Sequence, residues 1–138
     1  MGKGTLLNPS SVGLCATMGY SHVDVFKQMK IGIISTGDEL QLPGNTLKEN
    51  EIFESNSFGL ASLIRLNGHN PIRYDSVTDT IEDLRLQFDK AALECDLVLT
   101  SGGVSMGDWD LVRKLMEEEG DVKFWRVKIR PGSPPLFG

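Results

Sequence analysis

Apolar and polar positions along this chain keep switching between two periods. "KIGIISTG" (30–37) is a short apolar run that predicts a buried strand ending in a glycine turn. "SNSFGLASLIRLNG" (55–68) spaces Phe58, Leu60, Ala61, Leu63 and Ile64 as a helix does, with Ser55 or Asn56 available to cap it and Gly68 to stop it. "NPIRYDSV" (70–77) predicts a second strand. In "TDTIEDLRLQFDKAALEC" (78–95), Ile81, Leu84, Phe88 and Ala91 or Ala92 recur at helical spacing, and Thr80 with Asp83 resembles a capping box. "DLVLTS" predicts a third strand, "WDLVRKLMEEEG" a third helix and "VKFWRVKIRPG" a closing strand. The polar "DELQLPGNTLKENEIFE" with its Pro43-Gly44 pair predicts a long loop. Upstream, a short helix from Pro9 to about Met18 and an extended "HVDVF" form an extra element beside the core.

Strands alternating with helices predict an α/β fold, a three-layer sandwich with a mostly parallel sheet and helices on both faces. Ligands of such sheets bind at the carboxyl ends of the strands. The unusual segments of this chain fall there: "STGDEL" after the first strand, "SVTD" after the second, "TSGGVSMGD" after the third and "RPGSPP" after the fourth.

At 138 residues the chain is long enough for one domain with its own core. Its charge of −5 and the absence of any basic run longer than a dipeptide speak against a nucleic-acid partner. No apolar run approaches the ~18 residues of a membrane span, and "MGKGTLLNPS" lacks the apolar core of a secretory signal. Cys15 and Cys95 have no metal-ligand spacing and apolar flanks, so they read as buried free thiols of a reducing, cytoplasmic compartment.

The loop chemistry has two components. In "TSGGVSMGD", a glycine pair brings backbone amides close to a ligand ahead of a helix N-terminus, with Ser101 and Ser105 as further donors; this suits an anion. The lesser alternative is a tight strand-to-helix turn with a capping serine or aspartate. Asp38, Glu39, Asp79, Asp108 and Asp110 bring acids to the same edge, which suits Mg²⁺ bridging carboxylates and phosphate, or activation of a water. N-capping explains Asp79 or Asp108 as well. "ESNS" adds polar groups at another helix start. His22 and His69 have no partners at ligand spacing and read as structural.

Taken together, "STGDEL", "IFESNS", "TSGGVSMGDWD" and the Pro-Gly loop resemble, in order and spacing, the molybdopterin-binding, MogA-like domain of molybdenum cofactor biosynthesis proteins. Within it they look like the molybdopterin molybdotransferase branch, MoeA and the E domain of gephyrin. The resemblance implies that residues 30–138 form this domain and that residues 1–29 are a lead-in from the preceding region of a multidomain parent. It implies a cytoplasmic transferase that binds adenylylated molybdopterin and, with Mg²⁺, uses molybdate to insert molybdenum and release AMP. It implies Glu39, Asp79 and Asp110 as catalytic and metal-binding acids. Thr36, Gly37, Asp38, Asn56, Ser57, Ser101, Gly102, Gly103, Val104, Ser105, Asp108, Pro131, Gly132 and Ser133 are implied as substrate-binding. The implied partners are a small pterin nucleotide, a second copy of the chain in a homo-oligomer and a MogA-type enzyme, with neither nucleic acid nor membrane.

One position departs from the family pattern: Ser133 stands where a lysine is usual, leaving Arg130 as the nearby cation. Other readings share the fold: a MogA-like adenylyltransferase, a non-catalytic scaffold module, and, more remotely, a CinA-type nucleotide hydrolase.

Overall fold

The computed structural model describes residues 1–77, 80–102, 111–128 and 135–138. Eleven elements follow in chain order: α1 (Pro9–Thr17), β1 (Lys30–Ser35), β2 (Leu40–Gln41), β3 (Ile52–Phe53), α2 (Asn56–Leu66), β4 (Asn70–Arg73), α3 (Ile81–Glu94), β5 (Leu97–Ser101), α4 (Leu111–Glu119), β6 (Phe124–Trp125) and β7 (Leu136–Phe137). The main sheet is parallel, in the order β4-β1-β5, with Ile31 opposite Pro71 on one side and Leu97 on the other.

Alternation along β1 builds the three layers. Ile31 and Ile33 face α2, packing with Ala61 and Ile64. Ile34 faces the other way, into a core of Tyr74, Val77, Leu84, Ala91, Val112 and Leu115 shared by α3 and α4. A strand buried on both faces is apolar throughout, which is why "IGII" lacks a polar alternate. The helices bury single stripes: Ser57, Ala61 and Ile64 on α2, Leu84 and Ala91 on α3, Val112 and Leu115 on α4. Phe58 and Leu63, which share the helical pattern, are instead exposed. On the α3 side the buried Tyr74 hydroxyl bonds to Glu94 at 2.9 Å and lies 3.4 Å from the Cys95 sulfur. Burial and these two neighbours push its pKa well above the ordinary range.

Helix ends follow the sequence signals. Thr80 caps α3, its Oγ1 accepting from the Asp83 amide at 3.3 Å. After α2, Gly68 takes a φ of +78°; its amide bonds to the Arg65 carbonyl and the His69 amide to the Ile64 carbonyl, which is a Schellman closure. Asn8 caps α1 ahead of Pro9. α1 buries no residue, and residues 23–29 belong to no strand. With the preceding segment they line an open, mainly apolar groove of about 960 Å³ that includes Met1, Leu6, Met18, Tyr20 and Phe26.

Three expectations need correction. The predicted long loop contains a short parallel pair, β2 with β3, fastened by the Ile52 amide on the Glu39 carbonyl (2.9 Å) and the Glu54 amide on the Gln41 carbonyl (2.8 Å). The closing strand does not join the main sheet among the described residues. Phe124 and Trp125 instead pair antiparallel with Phe137 and Leu136, and the Phe124 and Phe137 rings stack at 5.7 Å. Arg126, at φ +66°, still donates its amide to the Pro135 carbonyl (3.0 Å). Finally, Cys15 and Cys95 are free but only half-buried. No described helix is long and apolar enough to cross a membrane.

Candidate functional site

The carboxyl ends of the three main-sheet strands meet. Past β1, the Thr36 amide donates to the Ser101 carbonyl at the end of β5 (3.0 Å), and Thr36 bridges Val77 beyond β4. The β1–β4 register runs Ile33 to Arg73 but Thr36 to Val77, so one extra residue bulges on the β4 side. This shortens the predicted second strand and sets Val77 beside the end of β1.

Two glycines permit the approach. Gly102 has φ +94°, and a Cβ there would lie 2.2 Å from the Thr36 carbonyl oxygen. Gly37 has φ +146°, and a Cβ would lie 2.7 Å from Glu39 Oε2, so the Glu39 carboxylate folds back over the Gly37 backbone. Asp38 and Glu39 are exposed. The Thr36 hydroxyl is buried and has no hydrogen-bond partner among the described residues. From the opposite layer, Asn56 at the start of α2 donates through Nδ2 to Ser101 Oγ at 2.8 Å. Thr36, Gly37, Glu39, Asn56, Ser101 and Gly102 thus gather at the strand ends. Asp79, Gly103, Val104, Ser105, Asp108, Asp110, Pro131, Gly132 and Ser133 lie outside the described residues, as does Arg130.

Ser57 plays a different part from the ligand contact implied for it. It is 2% exposed, and its hydroxyl donates to Glu54 Oε2 (2.5 Å) while accepting from Arg73 Nε (2.7 Å). Its capacity is therefore used inside the fold. Glu54, equally buried, also accepts from the Ser57 amide (2.7 Å) and Ser35 Oγ (3.2 Å), with Arg73 Nη2 at 3.8 Å from Oε2. The Arg73 guanidinium in turn lies 3.4 Å over the Phe58 ring. Burial pushes the Glu54 carboxyl up, but hydrogen bonds from the Ser57 side chain and amide and from Ser35, with the Arg73 charge, outweigh it and hold the pKa below its ordinary 4.5.

Sequence reasoning missed this network. Ser55 is the N-cap of α2 yet makes no side-chain cap bond; Glu54 supplies the oxygen instead. The available signal was an acid directly after the apolar pair Ile52-Phe53, where a solvated loop needs none.

The geometry offers neutral hydrogen-bonding groups (Thr36, Asn56, Ser101) around glycine-opened backbone, with the Glu39 carboxylate alongside. Such a surface suits a flat polar ring. Among the described residues no three acids, histidines or cysteines gather as a metal site. Glu39 and the unpartnered Thr36 hydroxyl are nevertheless hard oxygen donors of the kind Mg²⁺ takes.

Residues 32–138 match the family described as "probable molybdopterin binding domain". The chain belongs to this family. It is 36% identical over 136 residues to a molybdopterin molybdenumtransferase of Haemophilus influenzae, covering 99% of this chain and 34% of that protein. It is likewise 36% identical over 149 residues to a gephyrin of Dictyostelium discoideum, covering 99% of this chain and 21% of that one. Among solved structures, a molybdopterin biosynthesis MoeA protein of Pyrococcus horikoshii superposes with a TM-score of 0.82 at 34% identity, covering 97% of this chain and 33% of that one. The chain thus spans about a third of the length of the molybdenumtransferases it matches.

Proposed function

We propose that the chain is the ligand-binding domain of a molybdopterin molybdotransferase, which takes adenylylated molybdopterin and molybdate and, with Mg²⁺, releases AMP. The observation that carries this reading is the convergence at the strand ends. The β1 and β5 turns are locked together through Thr36, Ser101 and Gly102, and Asn56 reaches Ser101 from α2.

In this reading Thr36, Asn56 and the Ser101-Gly102 turn hold the pterin side, with Gly103 to Ser105 and residues 131–133 completing the cradle. Glu39, Asp79 and Asp110 hold Mg²⁺, which when bound offsets phosphate charge. The chain's own groups bind and orient the ligand. Residues 1–29 are the lead-in from a preceding region. The working form is a cytoplasmic homo-oligomer that receives its substrate from a MogA-type enzyme.

Relatives at 34–36% identity aligned over 99% of the chain carry the molybdenumtransferase name, which favours transfer over the MogA-like adenylyltransferase reading. Gephyrin among the relatives keeps a scaffold role as the second reading. Calorimetric titration with molybdopterin and its adenylylated form, with and without Mg²⁺, tests the proposal. Micromolar binding, about −8 kcal/mol, that Asn56→Ala or Glu39→Ala weakens is the expected result. Absence of binding to both ligands would leave the scaffold reading.

A further inference from the structure

Among the described residues, the buried Glu54 carboxylate forms a cluster with unusual chemistry. It joins three elements. Ser35 ends β1, Ser57 lies in the first turn of α2, and Arg73 ends β4; all three side chains are tied to Glu54 directly. A buried carboxylate is costly unless its oxygens are matched, and here Ser57, Ser35 and Arg73 match both of them. The negative charge also sits at the amino end of α2, where the helix dipole favours it. The next residue but one is Asn56, whose side chain meets Ser101 across the strand ends.

We propose that Glu54 is a positioning residue for the pterin site: by clamping the first turn of α2 to the ends of β1 and β4, it fixes the Asn56 side chain on Ser101. This rests on the proposed function for its ligand, and on the geometry alone for its action on Asn56. At the α2 amino end the Ser57 amide is taken by the chain's own carboxylate, and Asn56 presents its side chain beside it.

Glu54→Gln is the decisive change. Its amide nitrogen cannot accept a hydrogen bond, so one oxygen's set of donors is lost at nearly constant shape. Wild type, Glu54→Gln, Asn56→Ala and the double variant are compared at a temperature where circular dichroism shows all four folded. In Glu54→Gln, the Asn56 side-chain amide should shift its NMR resonances and exchange faster without any ligand. Molybdopterin affinity should fall about tenfold, the scale for loss of a supporting partner, and the double variant should bind no worse than Asn56→Ala. A purely structural Glu54 would lower the melting temperature and leave the Asn56 resonances and the affinity unchanged, which would overturn the proposal. Losses that add in the double variant would overturn it as well. If wild type binds no molybdopterin, the proposed function fails while the Asn56 resonances still decide the clamp. Should Glu54→Gln not fold, Glu54→Asp, which keeps the charge but withdraws it by one methylene, is read in the same way.

Discussion

Gly102→Ala isolates the contact that joins the β1 and β5 turns. The added Cβ would sit 2.2 Å from the Thr36 carbonyl oxygen, and the residue would have to hold φ +94°. No side chain can swing away, because the obstructing atom is backbone. Thr36 cannot retreat freely either, since its amide is bonded to the Ser101 carbonyl and it bridges Val77. Left-handed backbone in a non-glycine residue costs about 1–2 kcal/mol, and a loosened backbone hydrogen bond about 1 kcal/mol more. A loss of about 2–3 kcal/mol should lower the melting temperature by roughly 10 °C in a domain of this size. Gly59→Ala is the matched control. Gly59 lies inside α2, an added Cβ meets nothing within 4 Å, and its φ is not left-handed. Alanine there should stabilise by up to about 1 kcal/mol through helix propensity. Thermal and urea unfolding followed by circular dichroism measure both. If Gly102→Ala melted within about 2 °C of wild type, the turns would not be in the close contact described.

Leu84, 2% exposed in the core beneath α3, should cost about 3 kcal/mol when cut to alanine, read from the urea midpoint at unchanged slope. Thr80→Ala should cost about 1 kcal/mol through loss of the α3 cap, measured by the same titration. The Glu54 carboxyl has its pKa depressed in the fold, so its contribution is fully present above the unfolded value near 4.5 and is lost as pH falls through the folded value. Glu54→Gln should therefore be less stable than wild type by about 2 kcal/mol at neutral pH. The gap should close at acid pH, and a gap constant with pH in parallel melts would contradict the assignment.

The legible parts of this fold are those where one residue type serves one purpose. "KIGIIS" is apolar because both faces of β1 are covered, and Thr80 and Gly68 sit where helix ends need a side-chain acceptor and a left-handed residue. β2 and β3 were illegible because a two-residue strand has no period to detect. β6 failed for another reason: "VKFWRV" alternates well enough for a strand, but nothing local tells whether its partner is β5 or the antiparallel β7. At the site, the meeting of Thr36 and Ser101 followed from the strand-end rule, while Asn56 reaches Ser101 from the start of α2, where only the polar run "ESNS" pointed. The Glu54 clamp did not, because a buried acid is recognisable only from the Ser35, Ser57 and Arg73 groups that three separate elements bring to it.

The charges around the strand ends bear on how a phosphorylated ligand is held. Of the described groups there, Thr36, Asn56 and Ser101 are neutral and Glu39 is anionic, while the nearby Arg73 is engaged with Glu54 and Ser57. At the amino ends of α2 and α3, one first-turn amide each is already taken, Ser57's by Glu54 and Asp83's by Thr80. Bringing a phosphate beside Glu39 is then repulsive by Coulomb's law unless a cation intervenes. Affinity for adenylylated molybdopterin should consequently rise with Mg²⁺ over a titration from chelated to millimolar metal, and Glu39→Ala should flatten the rise. Equal affinity in chelator and in Mg²⁺ would mean that positive charge reaches the phosphate from protein alone, and Glu39 would then not be a metal ligand.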